Sequence, residues 1–591
     1  MGSKTFVRTT LVGVGFILII AAITQAGVGS TVASRRMLAP LPGAPAPAVT
    51  TVRPTYSPTG GALPDEQGTP GVIIERIACP GDPAPGIPGF TLGSVVAPRI
   101  DGAGNVIFFD YLTGPFVQAG NARAVFYGQP GDLHKLLWES DPAPDMPPGV
   151  VISDLSYNGA MFSEDGLVAV TANLSGPGII EGFNDRVFYV GQPGDLHKVL
   201  QGGDQAPGCE PGVYIDVEAT LGFGGLLSDH GTLLVAAYLA GPGVEWDSDR
   251  AFWTGTPENL QLVYRDGMQA PGCDEGVRFV GCSSIVHNDA GEVAISANVL
   301  GPGVDTTNNS GHWVGGPGAL VKVAREGEQV PGMPSGVTFF AVPNAGRAIN
   351  TWREFPQPGY LQGPGISEAN DRFLFLGDAD GMLHQIAREG DPAPEAGPGV
   401  YYRTFSNCMI NDRGETLCCV SYSGAGITDA NKWAVYFGSD VAWGLALRDG
   451  DPAPTFAADV TLWAVSATIA YAAMNDVGDI VAPARIAGPG ITEDNDKVLW
   501  MWRHETGGWI PLLRSGDNVD GHIIYAADES DLFYSDKTGG GDGQFQSFND
   551  LGMLAINLQF TDGTEGIYRI TPPPVSQDDG HGGYTAAVST K

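Results

Sequence analysis

Asp82, Asp141, Asp204, Glu328, Asp391, Asp451 and Asp517 hold the same place in a recurring Gly-Asp-x-Ala-Pro frame. Gly-Asp-Pro-Ala-Pro itself stands at 81–85, 390–394 and 450–454, and Ser140 opens a variant at 140–144. Carboxylates gathered around one opening would supply hard oxygen ligands, which is the chemistry of Ca2+. The competing reading is a turn, in which each Asp accepts backbone N–H groups and the prolines fix φ. Met268 occupies the eighth place and breaks the acidic set. A reaction needs one asymmetric constellation, and a repeat supplies equivalent copies. The turn reading therefore leads, and a Ca2+-holding ring is its alternative.

Departures from the repeat carry more information. One unit reads "NAGRAINTWREFPQPGY" at 344–360 in place of an Asn-Asp-x-Gly turn, and it brings Arg347, Trp352, Arg353 and Glu354. Another inserts "AADESDLFYSDKTGGGDGQ" at 526–544, with Asp536 and Asp542. Long loops on a rigid scaffold often hold binding residues, so these six are the candidate binding positions. The stretches "DKTGGGDG" and Asp378-Ala-Asp380-Gly have the composition of a calcium loop without its full ligand spacing. No Gly-x-Ser-x-Gly, Walker or His-Glu-x-x-His motif is present, so no catalytic residue is assigned. The nine histidines form no metal-ligand set; His134, His197 and His384 simply recur with the repeat.

The frame also measures the chain. Its marks at 82, 141, 204, 268, 328, 391, 451 and 517 are 59 to 66 residues apart, the signature of a repeat architecture. Within each unit, runs of Val, Ile, Phe, Tyr and Trp lie between Gly/Pro/Asn/Asp clusters, which reads as four short strands, A to D. Short connections make neighbours antiparallel. One such sheet cannot bury both faces, so the units must stack. Radial stacking gives an all-β fold, a β-propeller. The ends complement each other: "VIIERIACP" (72–80) resembles a spare strand D, and the last unit lacks one. Eight four-stranded antiparallel blades closed by the N-terminal strand are expected, with seven blades as the runner-up. Closure would remove exposed sheet edges.

The remaining segments bound the setting. Residues 1–26 read as a signal peptide, with Lys4 and Arg8 before an apolar run. Residues 27–70 read as a Pro/Thr-rich linker, 71–570 as the propeller, and 571–591 as a polar tail. The expected location is secreted or cell-surface, with membrane contact only if the N-terminal segment stays uncleaved. A formal net charge of −35 repels phosphate backbones and argues against nucleic-acid partners. The seven cysteines leave two pairings open, Cys209 with Cys273 and Cys408 with Cys418, alongside free thiols.

The chain also carries Asn-x-x-Gly-x-x-x-apolar as Asn288…Gly291…Ile295, Asn411…Gly414…Cys418, Asn475…Gly478…Ala482 and Asn549…Gly552…Ile556, with Asp101…Gly104…Phe108 as a variant. In this it resembles the secreted bacterial tandem-repeat proteins named for an Asn-x-x-Gly-x-x-x-Phe repeat. The resemblance implies export and a propeller-like repeat, and it lends no catalytic residue. The expected role is a monomeric binding or structural module for an extracellular protein or glycan, with no cofactor beyond the Ca2+ alternative. The other class is a propeller enzyme, either a polysaccharide lyase or hydrolase or a quinone-dependent dehydrogenase.

Overall fold

The computed structural model describes residues 71–574 apart from 217–223, 343–347, 379, 441, 464, 466–471 and 528–546. Eight antiparallel sheets follow one another in a ring, a β-propeller. Blades 1 to 7 take residues 95–138, 151–201, 214–265, 278–325, 338–388, 400–448 and 461–514. Blade 8 takes 518–571 and borrows its outer strand D, Ile73–Ala78, from the opposite end of the described chain. That strand pairs antiparallel with Glu565–Thr571, matching Ile73 with Thr571 and Ile74 with Ile570. The spare strand and the incomplete last unit thus join, and the eight-blade count stands.

Burial grades from the outer edge of each blade to the inner. Outer strand D of blade 1, Asp132–Trp138, has four exposed or half-buried residues before its buried pair. Strand B of blade 4, Val293–Leu300, is buried at all but two positions, because both its faces meet neighbouring blades. A strand covered on both faces reads as a continuous apolar run, which is why the B strands alternate only in part. Strand A is the inner edge, and it crosses the preceding blade: Val400–Ile410 packs over Phe355–Gln362 and Arg372–Gly377. Bulges between Phe339 and Ala341 and between Tyr402 and Thr404 bend it along that path. In blades 3 and 7 strand A comes in two pieces that pair with one strand B.

Buried carboxylates tie the blades together. Asp266, at the end of blade 3, accepts the Gly281 N–H from strand A of blade 4 at 2.7 Å. Asp449 likewise accepts Val465 N–H at 2.8 Å, from blade 6 to blade 7. Of the two cysteine pairings left open, Cys408 and Cys418 form a disulfide between strands A and B of blade 6. Cys209 and Cys273 are free thiols.

Candidate functional site

The A–B turns converge on the axis, and their sequence explains how. The first residue is Asp101, Ser163, Ser228, Asn288, Asn350, Asn411, Asn475 or Asn549 in blades 1 to 8, and all eight are buried. Each side chain folds back onto its own turn. Asn475 Oδ1 accepts Asp479 N–H at 2.8 Å, and Ser163 Oγ accepts Leu167 N–H at 3.0 Å. The asparagines have an amide left over, and it reaches the next blade. Asn288 donates to the Asn350 carbonyl (3.1 Å), Asn350 to Asn411 (3.3 Å), and Asn411 to Asn475 (3.4 Å). Asn475 donates to Asn549 (3.0 Å), and Asn549 closes onto Asp101 (2.8 Å). Backbone N–H groups bridge the rest: Gly102 to the Glu164 carbonyl (3.1 Å), Asp165 to the Asp229 carbonyl (3.3 Å), and His230 to Asp289 Oδ1 (3.0 Å). Every neighbouring pair of blades is therefore linked at the axis.

The second turn residues converge at the axis. They are acidic in six blades: Glu164, Asp229, Asp289, Asp412, Asp476 and Asp550. These carboxylates sense one another across the ring. Asp550 N–H donates to Glu164 Oε1 at 2.9 Å, between blades 8 and 2, and Asp476 N–H donates to Asp550 Oδ1 at 2.9 Å. Burial first, then the charges of Glu164, Asp289, Asp550 and Asp165, holds Asp229 well above the usual carboxylate range. Burial likewise raises Asp476, with Asp550 and Asp229 the next causes, and pushes Asp412 up to about 6. Asp229 is 6% exposed, and its carboxylate has no hydrogen bond or ion pair among the described residues. His230 brings a basic group to this rim, 2.9 Å from Asp165 Oδ2 and 3.8 Å from Asp289 Oδ2.

The third residue is exposed in all eight turns: Ala103, Asp165, His230, Ala290, Trp352, Arg413, Val477 and Leu551. Blades 5 to 8 therefore ring half of the acidic throat with Trp352 (45% exposed), Arg413, Val477 (43%) and Leu551 (61%). Arg413 is engaged by Glu415 at 3.1 Å and by His504 at 2.8 Å. The fourth residue has a left-handed φ and is Gly everywhere except at Arg353, φ +64°.

This geometry corrects the reading of blade 5. Its A–B turn is not missing; Asn350-Thr351-Trp352-Arg353 fills the place of Asn-Asp-x-Gly. Asn350 Oδ1 accepts Trp352 N–H at 3.0 Å and Glu354 N–H at 2.8 Å. Thr351 N–H and Oγ1 both bond the Asp412 carboxylate, and Arg353 pairs with Glu292 of blade 4. Trp352 Nε1 donates to the Asp412 carbonyl at 3.2 Å. Trp352, Arg353 and Glu354 are thus brought together at the mouth, while Arg347, Asp536 and Asp542 lie outside the described residues.

The seven frame acids sit elsewhere, at the seams after strand D, each beside that strand. Asp82, Asp141, Asp204 and Asp517 accept the N–H of the residue three earlier, at 2.8–2.9 Å. Lys135 meets Asp141 at 2.6 Å, Lys198 meets Asp204 at 3.1 Å, Lys322 meets Glu328 at 2.5 Å, and Gln385 meets Asp391 at 3.3 Å. Asp451 makes the same turn through its backbone N–H to the Arg448 carbonyl. The acids that converge at the axis are the second residues of the A–B turns, a set that the repeat frame does not mark. Their signal was present: aligning the turns by column, with Ser163 and Ser228 accepted as capping residues, places an acid second in six of them. Asp378 closes a local turn, accepting Asp380 N–H at 3.0 Å and Met382 N–H at 2.9 Å.

A family model described as "Family of unknown function (DUF7453)" matches residues 66–223, 226–442 and 301–571. The overlap over 301–442 is what a repeating chain gives when one model fits in more than one register. Among curated proteins none matches. Among solved structures, a puromycin hydrolase mutant complexed with PGG is 12% identical, with 81% of this chain and 59% of that one covered and a TM-score of 0.31. The β-propeller domain of the Trilobed protease from Pyrococcus furiosus is 11% identical, with 72% and 100% covered and a TM-score of 0.32. The Pyrococcus horikoshii acylaminoacyl peptidase is 12% identical, with 71% and 52% covered and a TM-score of 0.34. The chain spans little more than half of the hydrolase and of that peptidase. These likenesses are too distant to bring an activity or a residue across.

Proposed function

This chain belongs to that family of unknown function, and we propose that it is an extracellular binding module that takes its partner at the axial mouth of the A–B turns. The observation that carries the reading is the asymmetry of the third turn position. A residue that served the fold alone would repeat around the ring. Instead blades 5, 7 and 8 place Trp352, Val477 and Leu551 in solvent at a position filled by Ala103 and Ala290 in blades 1 and 4. Exposed apolar groups clustered on a rigid rim mark interaction sites. Export is supported by the apolar N-terminal segment and by the Cys408–Cys418 disulfide, a bond that persists in oxidising compartments. The Asn-x-x-Gly turns that carry the resemblance to secreted tandem-repeat proteins are the turns that build the mouth.

The test is capture from the extracellular fraction of the producing cells. Wild type is compared with a Trp352→Ala/Val477→Ala/Leu551→Ala triple variant and with Trp246→Ala, whose side chain is 73% exposed on a B–C loop at the opposite face. The expected result is a partner held by wild type and by Trp246→Ala and lost by the triple variant. Equal capture by all three sinks the assignment to the mouth.

A further inference from the structure

We infer that the axial mouth takes a basic side chain, Lys or Arg, carried between apolar residues on a partner polypeptide. This rests on the binding reading above and specifies its ligand. Two independent features set the ligand's chemistry. The first is the apolar crescent of Trp352, Val477 and Leu551, which suits the methylene stem of a long cationic side chain and its apolar neighbours. The second is the axial centre inside that crescent, where six carboxylates from six blades converge. Asp229 within it is nine-tenths buried and has no hydrogen bond or ion pair among the described residues. A carboxylate with no protein partner is free to accept from a ligand, and its acidic neighbours favour a cationic donor.

The charges facing the throat agree. Thr351 already engages the Asp412 carboxylate, and the N–H groups of His230, Asp476 and Asp550 each occupy one oxygen of Asp289, Asp550 and Glu164 respectively. His230 is turned towards Asp165, and Arg413 towards Glu415 and His504. A basic head entering from solvent would meet Asp229 within the field of its acidic neighbours, with its stem against Leu551 and Val477. The net charge of −35 would draw such a partner in from a distance and repel an acidic one. A neutral glycan would find the crescent but leave the throat unneutralised, so it is the weaker fit.

The test uses the full chain and three fluorescein-labelled pentapeptides, Gly-Leu-Lys-Leu-Gly and its norleucine and glutamate analogues, at about 150 mM salt. Maltohexaose and CaCl2 serve as competitors. The lysine peptide should bind at least ~10-fold tighter than the norleucine peptide, the scale of one charge-assisted contact. It should bind tighter still relative to the glutamate peptide. Asp229→Asn should weaken lysine-peptide binding by ~10-fold or more, because an amide cannot form the ion pair that the ammonium makes with a carboxylate. Simple attraction to an acidic protein would survive that variant, since the net charge hardly changes. Equal affinity for the three peptides, or an Asp229→Asn variant that binds as wild type does, overturns the inference. If maltohexaose or Ca2+ binds at a rim sensitive to Trp352→Ala while the peptides do not, the binding reading survives and the cationic one falls. If no probe responds to the rim variants and capture of the native partner does not either, both fall.

Discussion

At the scale of single residues, the Asn that opens five of the eight A–B turns does two jobs with one amide. Its oxygen closes the turn and its nitrogen holds the next blade. Asn475→Ala would leave Asp479 N–H and the Asn549 carbonyl without those bonds in a fully buried place. Two unsatisfied buried groups predict a loss of about 3 kcal/mol, read by denaturant unfolding; a loss below ~1 kcal/mol would show that the ring of amides is incidental. Arg353 is the opposite case. It holds a left-handed φ of +64° where the other seven turns have Gly. Arg353→Gly should relieve about 1 kcal/mol of backbone strain. The ion pair it gives up, with Glu292, is on a side chain 42% exposed and offsets little. The variant should therefore melt no lower than wild type, and a lower melting point would mean that the Glu292 contact outweighs the strain. These residues also show why the site was only half legible in the sequence. Asn411-Asp412-Arg413-Gly414 reads as a turn at sight. Asn350-Thr351-Trp352-Arg353 does not, because Thr replaces the Asp in second place and Arg the Gly in fourth. That six second-position acids converge at the axis is a property of ring closure, and no local pattern states it.

At the scale of elements, the strands were legible because turn chemistry punctuates them. The seams after strand D and the Asn-x-x-Gly turns after strand A use residues whose backbone preferences are strong in isolation. The path of strand A was not legible. Its bulges and its passage across the preceding blade are set by what it packs on, and a buried bulge leaves no period to read. The closure by Ile73–Ala78 was legible as two complementary absences, a missing strand and a spare one. It yields a direct prediction. Removing residues up to 80 strips Glu565–Thr571 of its partner and takes away the buried Ile77 and Ala78. Burial of one such aliphatic side chain contributes about 2 kcal/mol, and the bared edge invites association. The shortened chain should lose at least ~3 kcal/mol and elute partly as oligomers on size-exclusion chromatography. A monomer of unchanged stability would mean that the ring is held shut by the axial hydrogen bonds alone.

At the scale of the whole molecule, acidity is distributed unusually, since much of it is interior. Burial pushes Asp110 up to about 7, and Asp412, Asp449 and Asp517 up to about 6, while Asp229 and Asp476 are also raised. An unfolded Asp titrates near 3.8. Between that value and 6–7 the folded chain therefore holds more protons than the unfolded one, so stability falls as pH rises through this window. The contribution is fully present below about pH 4 and gone above about pH 7. Exposed turn acids such as Asp562, lowered to about 2 by its hydrogen bonds to Thr564 and His522, work the other way, but they are open to solvent and act below about pH 4. The melting temperature should accordingly rise as the pH is lowered from about 8 to about 5, against the usual pattern of acid weakening. Asp110 offers the cleanest check, being fully buried with Gly93 and Ser94 N–H on its carboxylate. Its shift is worth ~4 kcal/mol between about pH 4 and about pH 8. Asp110→Asn keeps an oxygen for those donors and removes the titration. The variant should gain stability at about pH 8, gain little at about pH 5, and flatten the pH profile. A wild-type profile that rises with pH, or a variant that loses stability equally at both pH values, would show that the interior acids are ionised and satisfied.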